Sequence, residues 1–239
     1  MAFSTSISGV FTPRIHTIVN ETKNDRAAQR ARITDLFIRV GRIQFLLLGL
    51  IATGFFFFGK AFIVSFWAGA GYKDAYAVAL LLMLPASIAL IQNVGIEIQR
   101  AMNLHKFRSA AYLVMAIINL VLSIYLCQKY GAIGSAVGTA ISLIVANGLV
   151  MNIYYHLKCS IDVLAFWKNI IRMCLGLILP IAFGAAYTHI LNVTGPYVFV
   201  LGIAAYTVVY CVSVWYFAMN PYEKTLVRSI FKKFQRRSA

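Results

Sequence analysis

Few side chains in this sequence could do acid–base or nucleophilic chemistry, and they are scattered. The carboxylates are Glu21, Asp25, Asp35, Asp74, Glu97, Asp162 and Glu223. All but Glu97 fall in polar loops or surface segments, so no pair stands inside an apolar run to share a proton. His16, His105, His156 and His189 lack the spacing of metal ligands. Cys127, Cys159, Cys174 and Cys211 form no C-x-x-C pair, and three lie in apolar runs, where a thiol is a small buried hydrophobe. No Gly-rich Walker loop is present to cradle a nucleotide. The residues therefore point to no catalytic group, no metal site and no cofactor, and they argue against an enzyme.

The chemistry that remains belongs to polar groups set within apolar sequence. Gln92, Asn93, Glu97 and Arg100 follow one another at helical spacing near the end of an apolar run. Asn119, Asn147 and Asn152 are singletons of the same kind. A lone Asn at membrane depth is accounted for by an interhelical hydrogen bond. For Glu97 and Arg100 two readings stand. They form an interfacial ion pair with Arg100 reaching toward water, or Arg100 lines a path for an anionic substrate.

The elements that must position these groups are membrane helices. The chain has 239 residues, of which 61% are hydrophobic and 12% charged. Soluble domains carry about twice that share of charge, so an ordinary soluble enzyme and a disordered chain are both excluded. Six apolar runs are legible: Ile43–Phe58 (extending toward Trp67), Ala75–Ile98, Ala110–Cys127, Ala132–Tyr155, Ile170–Leu191 and Tyr197–Met219. About 20 residues at ~1.5 Å each cross a hydrocarbon core of ~30 Å. Lipid also demands that each span satisfy its own backbone. The expected fold class is all-α, a polytopic helical bundle of six transmembrane helices preceded by a partial helix and an amphipathic helix.

Residues 1–42 differ from the rest. Ser4–Val19 reads as the tail of a helix at the membrane boundary, and Asn20–Asp25 as a polar turn. Arg26–Arg42 is basic and amphipathic, with Ile33, Leu36, Phe37 and Val40 at helical spacing. Such a helix lies on a membrane surface or feeds the next span. Three segments follow: the linking region 1–42, the bundle 43–219 and a basic tail 220–239.

The net charge of +15 then acquires a meaning. Six spans place the basic residues of 1–42, the second–third loop, the fourth–fifth loop and the tail on one side. Of the 22 Lys and Arg, only Lys60, Lys73 and Lys129 fall on the other. The positive-inside rule makes the populated side cytoplasmic, including the C-terminus, and nucleic acid is not the implied partner. Trp67, Tyr72, Tyr76, Tyr187 and Tyr197 near the outer ends, and Tyr154, Tyr155, Trp167, Trp215 and Tyr216 near the inner ends, fit interfacial belts. Met1 is not followed by a signal-peptide layout, and the sequon at Asn192–Thr194 falls in an outer loop.

Two further patterns concern packing. Gly134, Gly138 and Ser142 are four apart and share one helix face, which allows another helix to approach closely. Pro85 and Pro180 fall inside spans, where each frees a carbonyl and permits a bend.

The order of segments resembles a known family. Phe11-Thr-Pro13-Arg14 precedes the turn at Asp25 and the Arg-rich helix. A span then ends in Phe66-Trp67-Ala-Gly69-Ala-Gly-Tyr72-Lys-Asp-Ala75, and the next ends in Ile98-Gln-Arg100-Ala-Met-Asn-Leu-His-Lys106-Phe-Arg108. Ala116-Ile-Ile-Asn119 leads to Lys129-Tyr-Gly131-Ala-Ile-Gly134-Ser-Ala-Val-Gly138-Thr-Ala-Ile-Ser142. Over residues 8–158 this resembles the C-terminal half of polysaccharide (O-antigen type) flippases of the multidrug/oligosaccharidyl-lipid/polysaccharide exporter superfamily. The resemblance implies two pseudo-symmetric lobes around a cavity in a bacterial plasma (inner) membrane. It implies translocation of an undecaprenyl-diphosphate-linked oligosaccharide between leaflets. Arg14, Arg42 and Arg100 are the cations it brings forward for the substrate path, beside Gln92, Asn93 and Glu97. The implied partners are the lipid-linked oligosaccharide, membrane lipids and a missing N-terminal lobe or partner subunit. Two other functions fit a half-size chain: a lobe of a multidrug or cation antiporter, and a non-transporting membrane subunit of a polysaccharide assembly complex.

Overall fold

The computed structural model describes residues 2–191 and 193–235. It is all-helical, with no strand among these residues. Five helical stretches in it are long and apolar enough to cross a membrane: Arg26–Trp67, Lys73–Ile91, His105–Lys158, Val163–Ile190 and Pro196–Phe217. The chain divides into two compact units, residues 1–169 and residues 170–239. The acceptor asparagine of the sequon, Asn192, and the tail residues Arg236–Ala239 lie outside the described residues.

The first unit opens with two short helices, α1 (Ala2–Val10) and α2 (Thr12–Glu21), separated at Phe11 with Pro13 in the first turn of α2. Asp25 then caps α3 (Arg26–Ala61) by accepting from the N–H groups of Ala27 and Ala28 at 3.0 and 2.9 Å. Its 36 residues amount to about 54 Å of helix, well beyond a ~30 Å core. The basic amphipathic segment and the first span are therefore one helix, continued by π-helical turns through Trp67. The stripe Ile33, Leu36, Phe37 and Val40 is fully covered by protein. The Phe37 ring meets Phe166 at 4.6 Å and Tyr155 at 5.7 Å, both edge-on. This settles the choice between lying on a surface and feeding the span in favour of the second.

Gly69, with φ of +86°, turns the chain out of that span. The second expected span is not one helix. It is α4 (Lys73–Ile91), a break at Gln92–Asn93, and α5 (Val94–Ala101). At the break the N–H groups of Asn93, Gly95 and Ile96 reach only three residues back, to Leu90, Gln92 and Asn93.

The stretch His105–Lys158 comprises α6 (His105–Leu143), π-helical turns over Ile144–Val150, and α7 (Met151–Lys158). As one rod it would be more than twice the thickness of a bilayer core. It is instead folded at Gly131, whose φ of +61° and ψ of −142° are not helical. The two arms pack antiparallel. A methyl group at Gly134 would run into the Leu126 carbonyl, and one at Gly138 would stand 2.8 Å from Ser123 Oγ. Further along, Tyr112 donates to Asn147 Oδ1 and Arg108 reaches the Tyr155 hydroxyl. Gly134, Gly138 and Ser142 are all buried in this seam. The opposite face of the first arm, including Leu113, Ile117, Leu120, Val121 and Ile124, is exposed. Polar seams inside and aliphatic faces outside invert the soluble pattern and suit a hydrocarbon solvent.

The chain enters the second unit within α8 (Val163–Met173), which continues through a 3₁₀ turn at Cys174–Leu177 into α9 (Ile178–Ile190). Pro180 explains the tightened turn. It has no N–H for the Gly176 carbonyl. That carbonyl accepts instead from Ser213 Oγ at 2.8 Å, on α10 (Pro196–Phe217). The close approach depends on Gly176, where a methyl would stand 2.8 Å from Ala218 Cβ. The last helix is α11 (Pro221–Gln235).

Two substitutions test the hairpin. Gly134→Val should lower stability by about 3 kcal/mol, since backbone cannot yield to the added bulk. Gly148→Val, with only Ile144 of its own helix within reach at 3.7 Å, should cost less than about 1 kcal/mol. Thermal unfolding of both variants in detergent checks the contrast.

Candidate functional site: a polar layer around a broken span

The break at Gln92–Asn93 is the centre of a polar layer. Five helices supply it, each through a specific local feature. Ending α4 at Ile91 leaves carbonyls without helical partners. Leu90 O is taken by the Asn93 N–H at 3.2 Å and by Ser4 Oγ of α1 at 3.0 Å. α3 presses on the next carbonyl: a methyl at Gly41 would lie 3.1 Å from Ile91 O and 2.5 Å from the Phe166 ring. Beside that contact sits Arg42, buried in α3.

One turn further along α3, Gln44 is 1% exposed. Its Nε2 donates to Ser4 O at 3.1 Å and to Ser8 Oγ at 3.0 Å, tying α3 to α1. Gln44 Oε1 and Gln92 Nε2 are both buried without a hydrogen-bond partner. Gln44 also borders an apolar groove of about 170 Å³ with Ser4, Ile7, Leu47, Leu48 and Ile51. Asn93 is buried at the break itself.

α5 carries the ionic edge of the layer. Arg100 Nη1 lies 2.7 Å from Glu97 Oε1, and the other Glu97 oxygen accepts from Thr12 Oγ1 of α2 at 3.2 Å. The Arg100 side chain is 63% exposed against 16% for Glu97. Of the two readings for this pair, the geometry is that of an ion pair with its arginine turned outward.

Arg14 stands apart. It borders a cleft of about 230 Å³ between α2 and α3, with Thr17, Ile18, Arg32, Asp35, Leu36 and Arg39. Arg32 is bound to Glu21 at 2.8 Å and Arg39 to Asp35 at 2.9 Å. Thus Gln92 and Asn93 stand at the break, Glu97 and Arg100 lie one to two turns beyond it on α5, Arg42 is buried in α3, and Arg14 borders a different cleft.

A second cluster lies at the end of the hairpin arms and was not singled out by sequence pattern. Arg108 Nη1 donates to the Tyr155 hydroxyl at 2.8 Å and to Gln99 Oε1 at 3.3 Å. Arg108 Nη2 donates to the Tyr112 hydroxyl at 2.8 Å, and the guanidinium also sits 4.8 Å from the Tyr112 ring centroid. Its partners here are neutral oxygens. Gly95 makes the contact possible, since a methyl there would lie 2.5 Å from the Tyr155 hydroxyl. Arg108 thereby pins α5 and both arms together. In sequence it is one loop cation among many, whereas Gln44 is detectable as a lone amide within an apolar run.

The loop after α7 closes this end. Asp162 caps α8 by accepting from Ala165 N at 3.1 Å, and its own N–H donates to Thr34 Oγ1 at 2.9 Å. Arg30 stands 3.8 Å from the Asp162 carboxylate. Cys159, fully buried in the loop, has its thiol pushed up to about 12 by burial, with Arg108 a smaller opposing influence. Among the described residues no group of three His, Cys, Asp or Glu could hold a metal ion.

No protein family, curated protein or solved structure matches this chain.

Two measurements probe the layer and the pin. Arg108→Gln should cost about 3 kcal/mol in thermal unfolding, because three hydrogen bonds to a charged group are lost together. Cys159 should resist maleimide at pH 8, where a thiol of such high pKa is almost wholly protonated, and should react once denaturant exposes it. Mass spectrometry of the labelled chain reads the difference.

Proposed function

We propose that this chain is one lobe of a transporter that carries an undecaprenyl-diphosphate-linked oligosaccharide across a bacterial inner membrane. The observation that carries the reading is Arg42, buried in α3 one residue from the point where α3 touches the broken span. A cation inside a membrane bundle is costly and is kept where a polar cavity or an anion uses it. Interrupted spans with free backbone and amide groups are the usual substrate sites of transporters. Gln92, Asn93 and Gln44 supply those amides. A diphosphate is the kind of headgroup that such a cation would receive, and Arg14 and Arg100 lie nearer the openings.

With the Gly131 hairpin counted as two crossings, the chain crosses six times. The basic first part of α3 and the tail then share the cytoplasmic side. Alternating access needs a second lobe, supplied by further sequence or by a partner subunit. A cation antiporter is the weaker reading, because Glu97, the acid nearest a span interior, is already held by Arg100 and Thr12.

Genetic complementation tests the proposal. In a strain lacking the complete gene, surface polysaccharide should fall and undecaprenyl-linked repeats should accumulate on the inner leaflet. The wild-type gene should restore export and Arg42→Lys should restore part of it. Arg42→Gln should reduce export at least about tenfold, the effect of about 1.4 kcal/mol on a barrier. Unchanged polysaccharide and unchanged intermediates in the deletion strain would sink the reading.

A further inference from the structure

The C-terminal helix has a feature that transport does not use. Residues 218–239 contain one carboxylate, Glu223, and six cations: Lys224, Arg228, Lys232, Lys233, Arg236 and Arg237. Glu223 is consumed at the start of α11. The Asn220 N–H donates to Glu223 Oε2 and the Glu223 N–H donates to Asn220 Oδ1, each at 2.9 Å. This reciprocal cap buries the carboxylate and fixes the turn by which the chain leaves α10. Beyond the cap, the helix carries positive charge alone.

The two kinds of residue are largely segregated around α11. Tyr222, Leu226, Val227, Ile230, Phe231 and Phe234 fall on one half of a helical wheel. Lys224, Arg228 and Lys232, spaced four apart, form a stripe on the other half, and Lys233 alone of the helix's cations falls at the edge of the apolar half. Tyr222 and Leu226 remain exposed. At the end of α10, Tyr216 and Phe217 are exposed too, and Trp215 is capped by Lys224 Nζ at 5.8 Å and Arg228 Cζ at 5.6 Å from its ring centroid. An aromatic cluster at the end of a span, stacked against cations, belongs at the headgroup level.

We propose that α11 is a membrane-surface helix that docks on anionic phospholipid headgroups and anchors the end of α10. Its apolar half enters the acyl boundary, and its cations meet lipid phosphates. Charge complementarity and continuity with a span identify this occupant. A basic amphipathic helix directly after a transmembrane helix gains from both apolar burial and surface potential. The proposal is independent of what the protein transports.

Hydrogen–deuterium exchange on the full chain in nanodiscs tests it, because both faces of a nanodisc are open to solvent. Amides of 221–235 should exchange at least about tenfold more slowly in discs containing phosphatidylglycerol than in phosphatidylcholine alone, since each cation near the surface contributes about fivefold. High salt should reduce that difference. The variant Lys224→Gln/Arg228→Gln/Lys232→Gln/Lys233→Gln should erase it, while exchange in α3 and α6 stays unchanged and reports an intact bundle. Equal exchange in the two lipids would overturn the proposal. So would a lipid difference that survives the quadruple variant, and so would slow exchange in both lipids, which would point to a protein-facing helix.

Discussion

Hydrocarbon offers no hydrogen bonds, so every interruption of a helix in this chain has to be answered from within the chain. Three interruptions carry the architecture. The carbonyl freed by Pro180 is taken by Ser213. The carbonyl freed at the Gln92–Asn93 break is taken by Ser4. The turn at Gly131 is tolerable because its two arms close on each other along the Gly134–Gly138 seam. Each answer requires close backbone approach, and that explains why glycines stand at the contacts rather than larger residues. The packing of α1, α3, α5 and the hairpin follows from these local requirements more than from any long-range pattern of apolar side chains.

The same constraint sorts the polar side chains. Gln44, Gln92, Gln99, Asn147 and Asn152 are buried, while the aliphatic face of α6 is exposed. In water this would be an unstable arrangement; in lipid the outer face is solvated and the inner amides supply the cohesion. Charges follow a related rule. Arg32, paired with Glu21 of α2, and the Asp35–Arg39 pair lie on the exposed part of α3, beyond the length a core can cover. Arg108 has a different role, since its neutral oxygen partners make it a bracket between helices rather than half of an ion pair.

Much of this was legible in the sequence. Apolar runs located the helical stretches, because lipid-facing helices must be apolar over their whole length. The seam at Gly134, Gly138 and Ser142 was visible as a four-residue spacing. Two features were hidden. The run Ala75–Ile98 gives no sign of its break, because Gln92 and Asn93 are ordinary helix residues and only contacts from Ser4 and Gly41 make the interruption affordable. The buried stripe of α3 looked like a membrane-facing surface, since periodicity reports that a face is covered and not by what. Its cover, Tyr155 and Phe166, lies more than a hundred residues away in the chain.

The two broken spans differ in a way that separates structure from function. At Pro180 the freed carbonyl meets a single buried hydroxyl, and the account closes locally. At Gln92–Asn93 the carbonyl is answered, yet the amides of Gln92 and Gln44 remain buried with one polar atom each unmatched, and Arg42 is buried nearby. A fold that needed only to repair a kink would not retain these groups, because an apolar side chain of similar size would cost less. These buried amides at the break are what the proposed polar cargo rests on, whereas at Pro180 the hydroxyl of Ser213 answers the freed carbonyl and the bend needs no role beyond architecture.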